Sequence, residues 1–208
     1  MLKNLYKLKK KDIHKATNVL VRAFHEDPLI QLIYPNPDER IRYSSILWVF
    51  LLRDGIKYGE VYSPTEKIEG VAKWLPPGRE HMNIWRSIKG GAVRVGLAMI
   101  KQKDTRKKSL MEIQKITEKM TQKHKEIIKE PHWYLSTIGV DPSYQGKGYG
   151  STLIKPMLGY IEKKGYPIYL ETNYQANISL YEHLGFEMIN EMRIPKTEII
   201  NWSMVKKI

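Results

Sequence analysis

One glycine-rich stretch, residues 145–150 (QGKGYG), constrains the fold of this chain more than any other part of its sequence. It lies between a predicted strand over residues 132–140 and a predicted helix from about 148 to 164. Glycines at alternate positions let the backbone approach a ligand closely and turn its N–H groups toward it. The helix N-terminus adds unpaired donors and a positive dipole end, and Lys147 adds a full charge. Together these features predict a phosphate cradle.

Three phosphate-binding patterns compete for this stretch. Walker A requires a Gly-Lys-Ser/Thr triplet, which the chain lacks. The Rossmann fingerprint requires G-x-G-x-x-G, whereas the spacing here is G-x-G-x-G. The chain also lacks an N-terminal βαβ unit with an acidic residue on its second strand. A third pattern, Q/R-x-x-G-x-G/A, is satisfied by Gln145, Gly148 and Gly150. A glycine-rich turn that binds nothing is the structural alternative.

The first 78 residues are predicted to form a strand, two helices and a hairpin. The first helix begins at Asp12, a good N-cap, and stops before Asp27-Pro28. The second helix follows Pro37 and ends near Gly59, where a left-handed cap is expected. The hairpin pairs residues 60–62 with residues 67–75.

The remaining chain divides into a basic helical part and an alternating part. Residues 79–131 are predicted to be an insertion with helices at about 82–101 and 105–129, the first interrupted by glycines at 90, 91 and 96. Such a segment could cover the core, act as a substrate lid, or bind nucleic acid or a membrane. Residues 132–208 alternate strands with helices at 148–164 and 177–184 and end in a strand pair, 186–194 and 201–207. These elements predict a mixed sheet with helices on both faces.

Length and composition exclude several classes of protein. The 208 residues fit one domain, and the absence of cysteine excludes disulfides, thiolate metal sites and a cysteine nucleophile. The longest strictly apolar run, residues 46–52, is far shorter than the about 20 residues that cross a bilayer, and no apolar segment follows the basic N-terminus. We therefore expect a cytoplasmic protein without membrane attachment. The net charge of +13 favours anionic partners: nucleic acid, lipid headgroups or a phosphorylated cofactor. A solvated, lysine-rich surface explains the charge equally well.

The block around the glycine loop resembles the GNAT acetyltransferases, in which the Q/R-x-x-G-x-G/A loop holds the pyrophosphate of acetyl-CoA. The strand, its exit at Val-Asp-Pro and the loop come in the family's order, followed by a YLET strand, Asn177, Tyr181 and a Leu-Gly-Phe turn. The pattern is closest to the branch that includes puromycin N-acetyltransferase. That branch shares Phe24 with Asp27-Pro28, the segments VAKWLPPG at 71–78 and HWYL at 132–135, and Trp202-x-Met204.

The resemblance implies one α/β (α+β) GNAT domain over residues 1–208. Its sheet should be mixed and mostly antiparallel, splayed beside the strand at 134–140, with helices on both faces. The pantetheine arm of acetyl-CoA should enter the splay and pair with the backbone there. The resemblance therefore places the cofactor-binding residues in this strand, in the glycine loop after it and at the start of the predicted helix at 177–184. They are Ile138, Gly139, Val140, Gln145, Gly146, Lys147, Gly148, Tyr149, Gly150, Ser151 and Asn177.

Two residues are candidates for catalytic roles, Tyr181 by the same resemblance and Glu171 by its position at the end of the strand after the splay. Tyr181 sits where the family often has a general acid, and a tyrosine can protonate a departing thiolate. Glu171, at the end of a strand, could accept the proton of the amine, helped by burial that raises its pKa. Glu69 is the reserve base and His132 a weaker candidate. No cluster of His, Asp or Glu has metal-ligand spacing, so we predict no metal.

Each of these residues also has a structural interpretation. Tyr181 could simply pack beside Leu184, and Asn177 could be the N-cap of its helix. Glu171 could be a solvated strand-end glutamate, and His132 a structural histidine.

The predicted function is transfer of an acetyl group from acetyl-CoA to a primary amine, of a small molecule in the first place, by direct attack in a ternary complex. A protein or aminoacyl-tRNA acetyltransferase, and a basic protein that binds nucleic acid or CoA without catalysis, are the alternatives. The Lys-rich stretch at 101–130 has no aromatic residue, which weakens the nucleic-acid interpretation. A monomer and a homodimer are both compatible with the terminal strand pair.

Overall fold

The structure, a computed structural model, describes residue 2 and residues 4–83, 85–87 and 105–208. Seven strands form one mixed sheet in the order β1-β2-β3-β4-β5-β7-β6. The pairs β1–β2, β2–β3, β3–β4, β5–β7 and β6–β7 are antiparallel, and β4–β5 is parallel. The strands are β1 (Tyr6–Lys7), β2 (Glu60–Ser63), β3 (Gly70–Leu75), β4 (Trp133–Val140), β5 (Ile168–Thr172), β6 (Glu187–Arg193) and β7 (Ile200–Lys206). The predicted fold class is confirmed.

In the part of the chain that the structure describes, six α-helices with defined bounds accompany the sheet, and the two larger apolar cores form between the layers. The helices are α1 (Ile13–Ala23), α2 (Pro28–Ile33), α3 (Pro37–Tyr58), α4 (Thr105–Ile127), α5 (Tyr149–Glu162) and α6 (Ala176–His183). Successive side chains of a strand point to opposite faces. Val71 accordingly packs with α1 and α3, whereas its neighbour Ala72 packs with α5.

The sheet opens between β4 and β5. The two strands pair only through their first residues, from Trp133↔Ile168 to Leu135↔Leu170. Beyond this point β4 remains paired with β3, with a register shift beside Ser136, which faces no β3 residue. A bulge of this kind bends the strand that contains it. The predicted splay is therefore present, and the second half of β4 has one edge free of strand partners in the described chain.

The segment between α1 and α3 differs from the sequence prediction. It contains the six-residue helix α2, which was not predicted because so short a helix has no measurable apolar periodicity. Asp27 caps this helix: its Oδ1 accepts hydrogen bonds from the N–H groups of Leu29 (2.9 Å) and Ile30 (3.0 Å). Asp12 lies where predicted, but its carboxylate accepts from Lys9 N and the Tyr6 hydroxyl and does not cap α1.

The end of α3 at Tyr58 is confirmed, but the left-handed cap predicted at Gly59 is wrong. Gly59 is extended, with φ −137° and ψ −154°. Glycine is required there because a Cβ would come within 2.3 Å of the Trp74 carbonyl oxygen. Close approach to β3, and not the helix cap, is the reason for this glycine.

The predicted helical insertion at 79–131 is described in part. Residues 82 and 83 are not helical and residues 85–87 are, while residue 84 and residues 88–101, which include the three glycines, lie outside the described residues. The second predicted helix is present as α4. That the whole insertion is one functional unit stays a prediction.

Candidate active site

The glycine loop has the geometry of an anion cradle. Gly146 and Gly148 are left-handed, with φ of 74° and 78°, and a Cβ on either, or on Gly150, would meet no atom within 4 Å. In the described chain, the amide N–H groups of residues 146–151 have no protein acceptor, and Thr152 is the first residue of α5 to bond backward, to Gly148 O at 3.0 Å. Six consecutive free donors at the positive end of a fourteen-residue helix favour a bound anion.

The loop opens onto a cleft of about 680 Å³, here called the loop cleft. Its walls come from the end of α1, the second half of β4, the glycine loop and α6. The predicted binding residues that line it are Ile138, Gly139, Val140, Gln145, Gly146, Gly148, Tyr149, Gly150 and Asn177, and Tyr181 lines it as well. The structure therefore brings together most of the residues that the resemblance assigned to the cofactor.

Two of the predicted cofactor-binding residues, Lys147 and Ser151, do not line the loop cleft. Lys147 does not line the loop cleft: its Nζ donates to the Ser143 carbonyl at 3.0 Å and lies 5.3 Å from the centre of the Tyr144 ring. Ser151 is also outside the lining, although its N–H is among the free donors. Gln145 uses its side-chain amide to bond the Val140 carbonyl at 3.0 Å, which ties the loop to the end of β4.

Arg22 is a residue of the loop cleft that sequence reasoning missed. Its guanidinium donates from Nε to Asp141 Oδ2 at 2.8 Å and forms a second contact with the same oxygen from Nη2. This ion pair holds the pKa of Asp141 below its ordinary value against the opposing effect of burial. No local signal in α1 indicates the role, because the two partners are 119 residues apart in sequence.

Gly139 explains how α1 reaches the loop cleft. A Cβ at this position would lie 2.8 Å from Phe24 and 3.0 Å from the Ala23 side chain. The missing side chain therefore lets the end of α1 lie directly against β4 and brings Phe24 and Arg22 into the wall of the cleft.

A second, smaller cavity of about 200 Å³ lies at the end of β5 and is here called the β5 cavity. Glu171, Thr172 and Asn173 line it together with residues of α2, α3 and β4. It meets the loop cleft at residues that line both spaces: Phe24, Ile138, Tyr174, Asn177 and Tyr181. A molecule in one space can therefore contact a molecule in the other beside Tyr181.

Glu171 is a perturbed carboxyl in the wall of the β5 cavity. Burial raises its pKa to about 7, although hydrogen bonds from Tyr169 and Tyr134 oppose the increase. The Tyr169 hydroxyl lies 2.7 Å from Oε1 and the Tyr134 hydroxyl 3.3 Å from Oε2. A carboxyl with a pKa near neutrality exchanges protons easily at physiological pH, which is the property of a general base.

Tyr181 is only 4% exposed, and its ring packs edge-on against Phe186 at 5.9 Å. Burial raises its pKa to about 12. In the described residues its hydroxyl has no hydrogen-bond partner, and the residue lines both spaces. The packing interpretation therefore holds for the ring, while the hydroxyl is left available to a ligand.

Asn177 is the second residue of α6 and not its N-cap, which is Gln175. Its Nδ2 donates to Thr172 Oγ1 at 3.3 Å, so the side chain bridges α6 to the end of β5. The alternative of an N-cap role is thereby wrong.

Glu69 and His132 lie elsewhere. The Glu69 carboxylate accepts from Thr65 Oγ1 at 2.8 Å inside the β2–β3 turn and lines neither space. His132 is buried, with Nδ1 2.7 Å from the Glu130 carbonyl and Nε2 2.8 Å from Nε2 of His124. Both residues therefore have structural partners.

The described ranges contain no group of three or more His, Cys, Asp or Glu residues placed to hold a metal ion. The expected absence of a metal stays a prediction. None of the helices among the described residues has the length and apolar character needed to span a membrane.

A family model described as acetyltransferase (GNAT) family matches residues 57–186, which contain the splay, the glycine loop and α6. The chain belongs to the GNAT acetyltransferase family. It is 32% identical over 184 residues to an uncharacterised N-acetyltransferase of Schizosaccharomyces pombe, an alignment that covers 85% of this chain and 71% of the relative. As a GNAT protein it is an acetyltransferase, and the family uses acetyl-CoA as its co-substrate.

Solved structures share the GNAT fold over nearly the whole chain. A protein described as histone acetyltransferase HPA2 and related acetyltransferase, from Corynebacterium glutamicum, is 21% identical with a TM-score of 0.65, covering 98% of this chain and 94% of its own. The polyamine N-acetyltransferase of Drosophila melanogaster is 13% identical with a TM-score of 0.59, covering 98% and 99%. At these identities the likeness concerns the fold.

Proposed function

We propose that this GNAT protein acetylates the primary amine of a small molecule by direct attack in a ternary complex. The observation that carries the proposal is the meeting of two spaces at Tyr181: a cleft with free amide donors, and a smaller cavity lined by Glu171. The β5 cavity of about 200 Å³ is suited to a small acceptor.

The residues of the loop cleft fit acetyl-CoA. The free N–H groups of residues 146–151 would hold the pyrophosphate. Arg22, in the wall of the cleft, and Lys147, in the loop itself, would add positive charge. The unpaired edge of β4 at Ile138 and Val140 would pair with the pantetheine arm, and Asn177 would bond it from α6. When bound, acetyl-CoA supplies the acetyl group and a thiolate leaving group.

Glu171 would act as the general base of the reaction. Its carboxylate accepts one proton from the acceptor's ammonium, so that the nitrogen can attack through its lone pair. With a pKa of about 7, Glu171 is partly ionised at neutral pH and can both take and release that proton. The two tyrosine hydroxyls orient the carboxylate and leave its remaining lone pairs to the amine.

Tyr181 would act as the general acid. As the new bond forms between the acetyl carbon and the amine nitrogen and the bond between that carbon and sulfur breaks, the hydroxyl gives its proton to the sulfur. The nitrogen then gives up its second proton, which restores the Tyr181 hydroxyl, and Glu171 releases the first proton to solvent. A pKa of about 12 keeps the hydroxyl protonated throughout the physiological range. Since the hydroxyl has no partner in the described residues, no protein hydrogen bond must break first.

The finer assignments are part of the same proposal. The closest branch is proposed to be that of puromycin N-acetyltransferase, supported by Asp27-Pro28, by residues 71–78 and 132–135, and by Trp202-x-Met204. The protein is proposed to work in the cytoplasm, as a monomer or homodimer and as a single domain over residues 1–208.

Release of CoA thiol from acetyl-CoA tests the function, across panels of small amines, aminonucleosides, peptides and an aminoacyl-tRNA. The chain contains no cysteine, so it contributes no thiol to the assay. We expect small amines to be turned over at least about tenfold more efficiently than peptides or aminoacyl-tRNA, a difference of about 1.4 kcal/mol. Preferred turnover of a peptide or of aminoacyl-tRNA would assign the macromolecular alternative, and acetyl-CoA binding without any turnover would assign a non-enzymatic CoA-binding protein.

A further inference from the structure

The β5 cavity is acidic although the protein as a whole is strongly basic. The net charge is +13, with 35 Lys and Arg residues. Yet two carboxyl groups line the cavity, those of Asp27 and Glu171, and no Lys, Arg or His of the described residues lines it. A cavity lined by carboxyl groups and by no basic side chain favours a positively charged ligand over a negatively charged one.

Asp27 uses one of its two carboxylate oxygens to cap α2 and leaves the other without a hydrogen-bond partner in the described residues. The residue is 6% exposed, and Oδ1 already accepts the Leu29 and Ile30 N–H groups at the start of α2. Among the described residues, Oδ2 has no hydrogen-bond partner. A charged donor is a strong hydrogen-bond partner for a carboxylate oxygen that the protein itself leaves unpaired.

Aromatic rings line the same cavity. Phe24 and Trp48 have ring centroids 4.8 Å apart, and both residues are in the lining. Tyr174 lines it too, and its pKa is raised, first by burial and then by the negative charges of Asp27 and Glu26. Aromatic faces attract cations and also pack against methylene groups. The cavity thus combines carboxylates at separate positions with an apolar wall.

We infer that the acceptor is a small amine with a second cationic group, and that Asp27 binds this second cation through Oδ2. The inference rests on the proposed function, in which Glu171 receives the proton of the amine that is acetylated. Asp27 comes from the start of α2 and Glu171 from the end of β5, so one acceptor molecule can engage both. An apolar chain between the two nitrogens would lie along Phe24 and Trp48. Asp27 is then a specificity-determining residue.

The competing explanation is that Asp27 only caps α2. Asparagine is as good an N-cap as aspartate, so D27N keeps the Oδ1 cap and removes the charge. D38N is a matched control, because Asp38 is an exposed carboxylate in the first turn of α3 that lines neither space.

The test compares 1,4-diaminobutane with pentylamine, which has the same number of non-hydrogen atoms but a methyl group in place of the second ammonium. For the wild-type chain, D27N and D38N, kcat/KM is measured by CoA release at one pH and corrected for the neutral fraction of each amine. We expect the wild type to prefer the diamine by about tenfold or more. D27N should reduce this preference by about the same factor, mainly through KM for the diamine, whereas D38N should retain it.

Three results overturn the inference in distinguishable ways. If the wild type turns over both amines equally, the proposed function still holds, but the acceptor needs no second cationic group. If D27N lowers kcat/KM for both amines by the same factor and also lowers the melting temperature, Asp27 serves only as the cap of α2. Turnover of neither amine, beside turnover of peptides or aminoacyl-tRNA, overturns the proposed function and the inference with it.

Discussion

The Tyr169 hydroxyl donates a 2.7 Å hydrogen bond to Glu171 Oε1, two residues further along the same strand. The two side chains point to one face of β5, since residues i and i+2 of a strand share a face. Tyr169 is fully buried and its ring stacks on His124 at a centroid distance of 3.8 Å. The orientation of the proposed base is therefore determined by a ring that packing holds in place.

Replacing Glu171 with Gln should remove the base while keeping its shape. In the wild type, kcat/KM should fall about tenfold per pH unit below about pH 7, where Glu171 takes up a proton. In E171Q the rate at neutral pH should be lower by about 10²-fold, and activity should partly recover at high pH, where the amine is already neutral. A pH profile of CoA release measures both effects. An E171Q profile with the wild-type shape would assign the base to another group.

Replacing Tyr169 with Phe should move the acidic limb of the pH profile to higher pH. The hydrogen bond from Tyr169 lowers the pKa of Glu171, so its loss raises that pKa further above 7. A hydrogen bond to a charged group corresponds to about one pH unit. Y134F is the companion variant, and its shift should be smaller because its bond to Glu171 is longer, 3.3 Å. If the acidic limb of the pH profile stays at the same pH in Y169F, the Tyr169 hydrogen bond does not lower the pKa of Glu171.

Replacing Tyr181 with Phe should lower kcat by about 10²-fold, with little change in KM for acetyl-CoA, because the lost proton transfer belongs to the transition state. With a pKa of about 12, the tyrosine stays protonated over the usual assay range. The basic limb of the wild-type profile therefore does not report this residue, and kcat is the decisive measurement. Retention of near wild-type kcat would leave Tyr181 as a packing residue.

Replacing Gly148 with Glu should weaken acetyl-CoA binding by tenfold or more, about 1.4 kcal/mol, measured by calorimetry. The substitution puts a side chain and a negative charge beside the free N–H groups of the loop. G165E is a matched control at the opposite end of α5: Gly165 is also left-handed, with φ 70°, and a Cβ there also meets no atom within 4 Å. Equal loss of affinity in both variants would attribute the effect to backbone strain.

Replacing His124 with Gln should flatten part of the pH dependence of stability. Burial, with the neighbouring positive charges of His132, His81 and Lys125, lowers the pKa of His124 to about 2. The folded state thus keeps this histidine neutral, while the unfolded chain protonates it below about 6.5. Its contribution to stability is fully present above pH 6.5 and falls by up to about 1.4 kcal/mol per pH unit below it.

Chemical denaturation between about pH 4 and pH 8 measures this dependence. The wild type should lose stability more steeply below pH 6.5 than H124Q does. H14Q is the control, because His14 is exposed on α1 and should retain the wild-type slope. A parallel decline in all three proteins would mean that His124 is not a source of the acid sensitivity.

Much of the fold follows from local pattern. The glycine loop lies between a strand and a helix, and this junction could be predicted because its glycines and the flanking apolar residues act over a few positions. The strand pair at 186–194 and 201–207 and the helices α5 and α6 were also predicted from neighbouring residues. The structure adds that the glycines beyond the two helices, Gly165 and Gly185, are left-handed. Gly59 was misassigned because its requirement comes from the Trp74 carbonyl on another element.

The sequence by itself determined the GNAT resemblance, the loop and the identity of Glu171 and Tyr181 as candidates, since these depend on residue type and spacing. Only the tertiary structure decided what surrounds them. The Arg22–Asp141 pair, the stacking of His124 on Tyr169 and the carboxylates of Asp27 and Glu171 in one cavity join residues that are distant in the chain. The pKa of about 7 at Glu171 also depends on the tertiary structure, because several packed elements together bury this carboxyl group.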